Sequence, residues 1–436
     1  MQVIVLGSGL LFTMLVLTNF TRTNIFLLMI ALLMGLNLFN YTDIRLSYPY
    51  LRYMRAVLIF ITVIAILGTQ NRHDLRFHRS NWDVYLLGLW SVVCSFFAID
   101  LADSLLYSVW LLLSYVIIVE TAASCDEKDL LVKRLITIFA VVSSSFVIWS
   151  LAFRGIGEVT SVTSQFSGVE GIFGARTSFG AACALTFASS LASLQSDRSG
   201  NRTRVFCYLA ILVSSVGSLV SLCRASWIAV TACVTSYAWI KKKTRHTKYA
   251  LVVIFILALF TTTWFINILP ESFTSAIEAR IQSTTDEFSV ESPKQFIRWN
   301  LWKANLEYTQ ESPLFGSGPG CSESIFHFID PLYSSIFLFS PDIGYGPHNS
   351  FLQILVETGI AGFGLFIIIL IRSAMSIRSW GGSSKTRDAV LLVLVAIVAN
   401  SFFESYAFLP GGLLFWPLWT LLIAVRKHNR VKGQET

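Results

Sequence analysis

Residues 344–370, GYGPHNSFLQILVETGIAGFGLFIIIL, open as a turn punctuated by glycine and proline and continue as an apolar run. As a helix, about 18 or more apolar residues cover the roughly 30 Å of a bilayer's hydrocarbon. The run is long enough, so it reads as a transmembrane helix with one histidine, His348, at its threshold. Runs of the same kind recur from end to end. They fall near 3–20, 24–40, 52–69, 82–98, 104–122, 135–153, 177–194, 205–222, 225–240, 249–269, 350–372, 388–406 and 407–425. The expected fold is therefore all-α: a polytopic helical bundle of about 12–13 transmembrane helices, forming a single membrane domain over 1–436.

Composition points the same way. Of the 436 residues 54% are hydrophobic and 14% charged, where a soluble domain carries about a quarter charged; the mean hydropathy is +0.64. The opening MQVIVLGSGLLFTMLVLTNF has neither a basic leader nor a small-residue cleavage site, so it reads as the first span. The seven cysteines sit mostly within apolar runs and show no CxxC spacing, which supports neither a disulfide framework nor a zinc site.

The net charge of +7 is unevenly spread. Basic clusters occur at 71–81, 196–204, 241–248 and 426–433, and the positive-inside rule makes these cytoplasmic. The stretch 270–349 is the opposite, with ten acids against Arg280, Lys294, Arg298 and Lys303. It is expected outside, as one long loop containing short helices of its own. The basic total thus reports membrane topology and not a nucleic-acid partner. Thirteen spans would leave Arg45, Arg52 and Arg55 outside, against the charge rule; twelve spans with both ends inside fits equally well. Within the loop, FIRWNLWKANLEYTQ (296–310) places Ile297, Leu301, Ala304 and Tyr308 on one helical face, either in the membrane interface or packed on the bundle.

On the expected outer side, Arg176 enters the seventh span, Arg224 lies in a turn between two spans, and Arg298 begins the loop helix. Singly, such arginines serve as snorkelling anchors or structural ion pairs. Together with His348 they suggest chemistry. Guanidinium forks bind phosphate oxygens and keep their charge, while an imidazole at a helix start can take a proton from a hydroxyl.

These segments resemble a known family. PHNSFLQILVETGIAG is similar to the signature of the bacterial O-antigen ligase and O-antigen polymerase superfamily, filled here by His348, Asn349, Gly359 and Gly362. RWNLWKANLEYTQESPLFGSGPG resembles the family's Arg-x-x-x-Trp segment and its Pro-Leu-x-Gly-x-Gly turn, with Arg298, Trp302, Pro313, Leu314, Gly316 and Gly318. GIFGARTSFG resembles a stretch of exopolysaccharide polymerases, departing from it with Arg176 where lysine is usual and Ser178 where asparagine is usual. The likeness covers about 170–425.

The resemblance implies a membrane glycosyltransferase, without metal or other cofactor, in the bacterial inner membrane with its site on the periplasmic face. The donor would be a glycan on undecaprenyl diphosphate and the acceptor a hydroxyl of a second glycan or glycolipid. His348 would be the base; Arg176, Arg298 and, as a third candidate, Arg224 would hold the diphosphate; Asn349, Gly316 and Gly318 would support the site. GIFGARTSFG favours a polysaccharide polymerase, for which a chain-length regulator is an expected partner; the alternative is an O-antigen ligase acting on lipid A core. A non-enzymatic transporter of lipid-linked glycans is a further alternative. Transporters place charges at mid-membrane and interrupt their helices, whereas these candidate charges fall at span ends.

Overall fold

The computed structural model describes residues 22–40, 57–60, 62, 81–123, 125, 127–154, 176–195, 200–240, 297–322, 325 and 346–426. The expected spans 3–20 and 249–269, most of 52–69, and the loop segments 270–296 and 326–345 lie outside these residues.

The described residues form α1 (Arg22–Asn40), α2 (Trp82–Ser95), α3 (Leu101–Ala123), α4 (Lys128–Arg154), α5 (Arg176–Ser193), α6 (Asn201–Val220), α7 (Arg224–Ile240), α8 (Ile297–Glu311), α9 (Ser350–Arg378), α10 (Ser384–Ser401) and α11 (Phe415–Ala424). Among them, four stretches are long and apolar enough to cross a membrane, within α3, α4, α6 and α9. The protein is an all-helical, polytopic membrane protein.

At the centre stands α11, every residue of which is buried. Trp419 packs 4.7 Å from Tyr115 of α3 and 5.7 Å from Phe366 of α9, ring centroid to centroid. Helices that are hydrophobic all round belong in a bundle interior. Large apolar side chains such as Tyr208, Leu209 and Leu212 of α6 and Ile371 and Met375 of α9 instead face outward, as a lipid-facing surface requires.

Charge gathers at one end of the bundle. Asp83, at the start of α2, accepts from Arg426 at 2.8 Å and pairs with Arg372 at 3.0 Å. The Arg372 guanidinium lies 5.7 Å above the Trp82 ring. At the same end Asp129 accepts from the Trp380 indole and the Ser383 amide, and Lys128 donates to the Arg426 carbonyl. These contacts fix the ends of α2, α4, α9, α10 and α11 against one another. Away from this end, reached by following α2 from Asp83 to Trp90 and Cys94, lies Thr358, which both residues contact.

Two expectations are corrected here. The span expected over 350–372 is not continuous, because Gly359 has φ 65° and ψ −175°, outside helical space. On a straight helix Phe351 and Phe366 would lie about 22 Å apart; their rings are 5.8 Å apart. The halves 350–358 and 360–378 therefore fold back on one another. Likewise, 388–406 and 407–425 do not abut as two spans: α10 ends at Ser401, α11 starts at Phe415, and 402–414 is a loop. The loop residues Glu404, Ala407 and Phe408 are nonetheless buried, so the loop enters the bundle.

Candidate active site

The break in α9 frees backbone groups that a hydrocarbon environment would not tolerate unpaired. The PLFGSGPG turn meets them. The Val356 carbonyl accepts from Ser317 N at 2.8 Å, Glu357 O from Gly318 N at 3.1 Å, and Ile360 N donates to Pro313 O at 2.8 Å. The Trp90 indole donates to Thr358 O at 3.0 Å. Gly316 and Gly318, with φ of 71° and 91°, bring the turn's backbone into direct contact with α9 and the α2–α3 connection. Both glycines therefore serve the junction between this turn and the broken helix. The fully buried Glu357 completes the junction, accepting from Gly320 N, Ser322 Oγ and Gln353 Nε2 at 3.0, 2.6 and 3.0 Å.

At the start of the first half-helix, Asn349 is the N-cap. Its Oδ1 accepts from Phe351 N and Leu352 N at 2.9 and 3.0 Å, satisfying two otherwise unpaired amides. His348 precedes it with φ 45°, a left-handed conformation that costs a residue other than glycine roughly 1–3 kcal/mol. Neighbours on both sides hold it there. The Trp302 indole of α8 donates to the Pro347 carbonyl at 2.9 Å, and the Asn349 amide donates to Ser405 Oγ at 3.0 Å. Ser350 Oγ donates to the Glu404 carbonyl at 2.7 Å and accepts from the Ala407 amide at 3.2 Å. The His348 ring, 37% exposed, sets Nδ1 3.3 Å from Oε2 of Glu404, whose side chain is 1% exposed.

The arginine-bearing segments converge on this point. Trp302 lies one turn beyond Arg298 on α8, and Leu301, Ala304 and Asn305 are buried, so α8 packs on the bundle. The Tyr406 hydroxyl, two residues from Glu404, bonds Thr177 Oγ1 and Ser178 Oγ at 2.9 and 3.0 Å, tying down the first turn of α5 that Arg176 opens. One turn further along α5, Gly180 lies against Cys223 and Ser226, which flank Arg224. Arg224 is half-buried as the first residue of α7, in the expected turn between spans. The side chains of Arg176 and Arg298 lie outside the described residues, so the structure brings together their helix starts and not their guanidinium groups.

Glu404, Ser405 and Tyr406 were not among the sequence candidates. Their segment, FFESYAFLPGG, carried two usable signals: a lone carboxylate within an apolar run and a Pro-Gly-Gly turn.

The geometry defines a multi-pass helical membrane protein in which a strained histidine meets a buried carboxylate, in segments bonded to the helices that bear Arg298 and Arg176. Residues 209–367 match the family model described as O-antigen ligase, the family that the motifs around His348 and Arg298 resemble. The match encloses Arg224, Arg298, the glycine turn, His348 and Asn349, and leaves Arg176 and Glu404 outside it. No curated protein matches the chain.

Proposed function

We propose that the protein is a polysaccharide polymerase of the bacterial inner membrane, transferring a glycan from undecaprenyl diphosphate to a hydroxyl of an acceptor glycan at the periplasmic face. The observation that carries this reading is His348 itself: it lies within the residues that match the O-antigen ligase family model, in a strained conformation held by the helix that bears Arg298 and by the loop at Ser405, to which the first turn of the Arg176 helix is bonded through Tyr406. Backbone strain persists where the surroundings enforce it, and it concentrates at functional sites.

In the proposed step the imidazole takes the acceptor hydroxyl's proton as the oxygen attacks the anomeric carbon. The new carbon–oxygen bond forms while the bond from that carbon to the phosphate oxygen breaks, and the lipid diphosphate leaves with the electron pair. Arg176 and Arg298, with Arg224 as a third contributor, hold the diphosphate and stabilise its growing negative charge. The reading calls on no metal and no cofactor. The basic end around Arg372, Arg378 and Arg426 faces the cytoplasm on the positive-inside rule, which turns His348 outward.

GIFGARTSFG supports polymerase, whereas the description of the matching family supports a ligase that caps lipid A core. Glycan profiling of a deletion strain separates them: loss of polymer beyond one repeat marks a polymerase, and lipid-linked polymer beside uncapped core marks a ligase. The base is tested by His348→Ala, which is expected to lower transfer about 10²- to 10⁴-fold at normal abundance. Wild-type transfer in that variant refutes the assignment.

A further inference from the structure

The carboxylate beside His348 has no part in the family motifs described above, and it lies beyond the matched residues 209–367. Its setting is specific. Glu404 is 1% exposed on a loop that enters the bundle, and its backbone carbonyl is held by Ser350 Oγ. A carboxylate is costly to bury unless a partner uses its charge. The imidazole at 3.3 Å is such a partner, and it meets the carboxylate through Nδ1 while a third of the ring remains open.

We propose that Glu404 is a positioning residue for His348, resting on the reading of His348 as the base. An ionised carboxylate only accepts hydrogen bonds, so it holds the neutral ring as the Nδ1–H tautomer. The other nitrogen, Nε2, then carries the lone pair and points away from the carboxylate. When Nε2 takes the acceptor's proton the ring becomes an imidazolium, and the adjacent negative charge stabilises it. Glu404 stays ionised throughout: the proton passes from acceptor oxygen to Nε2 and no further in this step. The left-handed backbone at His348 and the Ser350 and Ser405 bonds fit this role, because all three fix the ring's approach to Glu404 from the two ends of one contact.

The test combines three substitutions in membranes with matched protein levels. Glu404→Gln preserves shape, removes the charge and allows the amide to hold the ring in the wrong tautomer. It is expected to lower kcat about 10²-fold or more while KM changes less than about threefold. His348→Ala and the double variant should then share one residual rate, because residues acting as a unit are non-additive. In wild-type protein carrying ¹⁵N-imidazole histidine, with the His348 signal assigned by its loss in His348→Ala, the neutral ring should carry its proton on Nδ1. Glu404→Asp, which keeps the charge on a shorter arm, should recover part of the rate lost in Glu404→Gln.

Near-wild-type kcat in Glu404→Gln, a proton on Nε2, or rates in the double variant that fall well below His348→Ala would each overturn the inference. A folding defect would appear as lost abundance shared by Gln and Asp alike, and the ¹⁵N signal of the wild type decides that case. Activity in His348→Ala would instead remove the reading on which the inference rests.

Discussion

Gly359→Ala tests whether the interruption of α9 is required. The alanine methyl would fall on the Leu314 carbonyl and within 2.8 Å of Phe315 N, both backbone atoms of a turn that is itself pinned by hydrogen bonds. The φ of 65° with ψ of −175° is close to a glycine-only region, so the conformational cost is roughly 1–3 kcal/mol. Relieving the clash must displace the turn, which bonds α9 through Ile360 N, Val356 O and Glu357 O. Losing two of these at about 0.5–1.5 kcal/mol each brings the total to roughly 2–6 kcal/mol. With an unfolding entropy of ~2.1 cal/mol/K per residue over 436 residues, that is a drop in Tm on the order of 2–7 °C. Transfer should fall further than stability does, because a shift of about 1 Å at the reacting groups costs about 10²-fold and the half-helix carries His348 directly. Gly364→Ala is the control: nothing lies within 4 Å of the added methyl, and alanine in a helix is favoured by about 1 kcal/mol. Melting in detergent and transfer in membranes would be measured for both. If Gly359→Ala melts and transfers like Gly364→Ala, the chain does not fold back at this residue and the site's geometry is wrong.

At the proposed diphosphate site, Arg298→Lys keeps charge but loses the planar fork, so it should retain only a small part of transfer, whereas Arg176→Lys should be tolerated far better; equal behaviour would refute the division of roles. For orientation Cys321 is a poor probe, since it is 1% exposed and burial pushes its thiol up to about 11, leaving little thiolate. With the native cysteines replaced, Glu311→Cys at the exposed end of α8 should react with an impermeant maleimide in intact spheroplasts, and Lys385→Cys only after permeabilisation. The reverse pattern would put His348 in the cytoplasm and end the transferase reading.

What could be read in the chain divides along physical lines. Spans are set by length and hydropathy, so α2 (Trp82–Ser95), α3 (Leu101–Ala123), α5 (Arg176–Ser193) and α7 (Arg224–Ile240) fall close to the expected 82–98, 104–122, 177–194 and 225–240. Asn349 was legible as a member of the His348 motif but not as the helix cap it forms, and the pairing of Trp302 with Pro347 puts two separately recognised motifs in contact. The break at Gly359 was not legible, because hydropathy averages over a helix and its reversal alike: 350–378 is the most apolar of the four long stretches. Only the backbone angles of one glycine, and the turn that receives the freed carbonyls, distinguish them. Loop 402–414 was missed for a related reason, since it enters the bundle and its composition resembles that of the helices around it.

That correction changes the comparison with a transporter. An interrupted helix ending near a charged site is a transporter device as much as an enzyme's, so the break at Gly359 does not by itself favour an enzyme. The difference has to come from what the interruption presents. In a substrate-carrying site the freed helix ends face the cargo, with backbone groups supplying the ligands. Here the carbonyls freed at Gly359 are taken by Ser317, Gly318 and Trp90, and the first amides of the half-helix by Asn349. The backbone is satisfied within the protein, and what faces outward is the imidazole of His348, partly exposed and backed by a buried carboxylate. A satisfied backbone around an open titratable side chain suits proton transfer from a bound hydroxyl better than the passage of a cargo. The broken helix then sets the histidine between α8, which bears Arg298, and the 404–407 loop, which is bonded to the first turn of the helix that Arg176 opens.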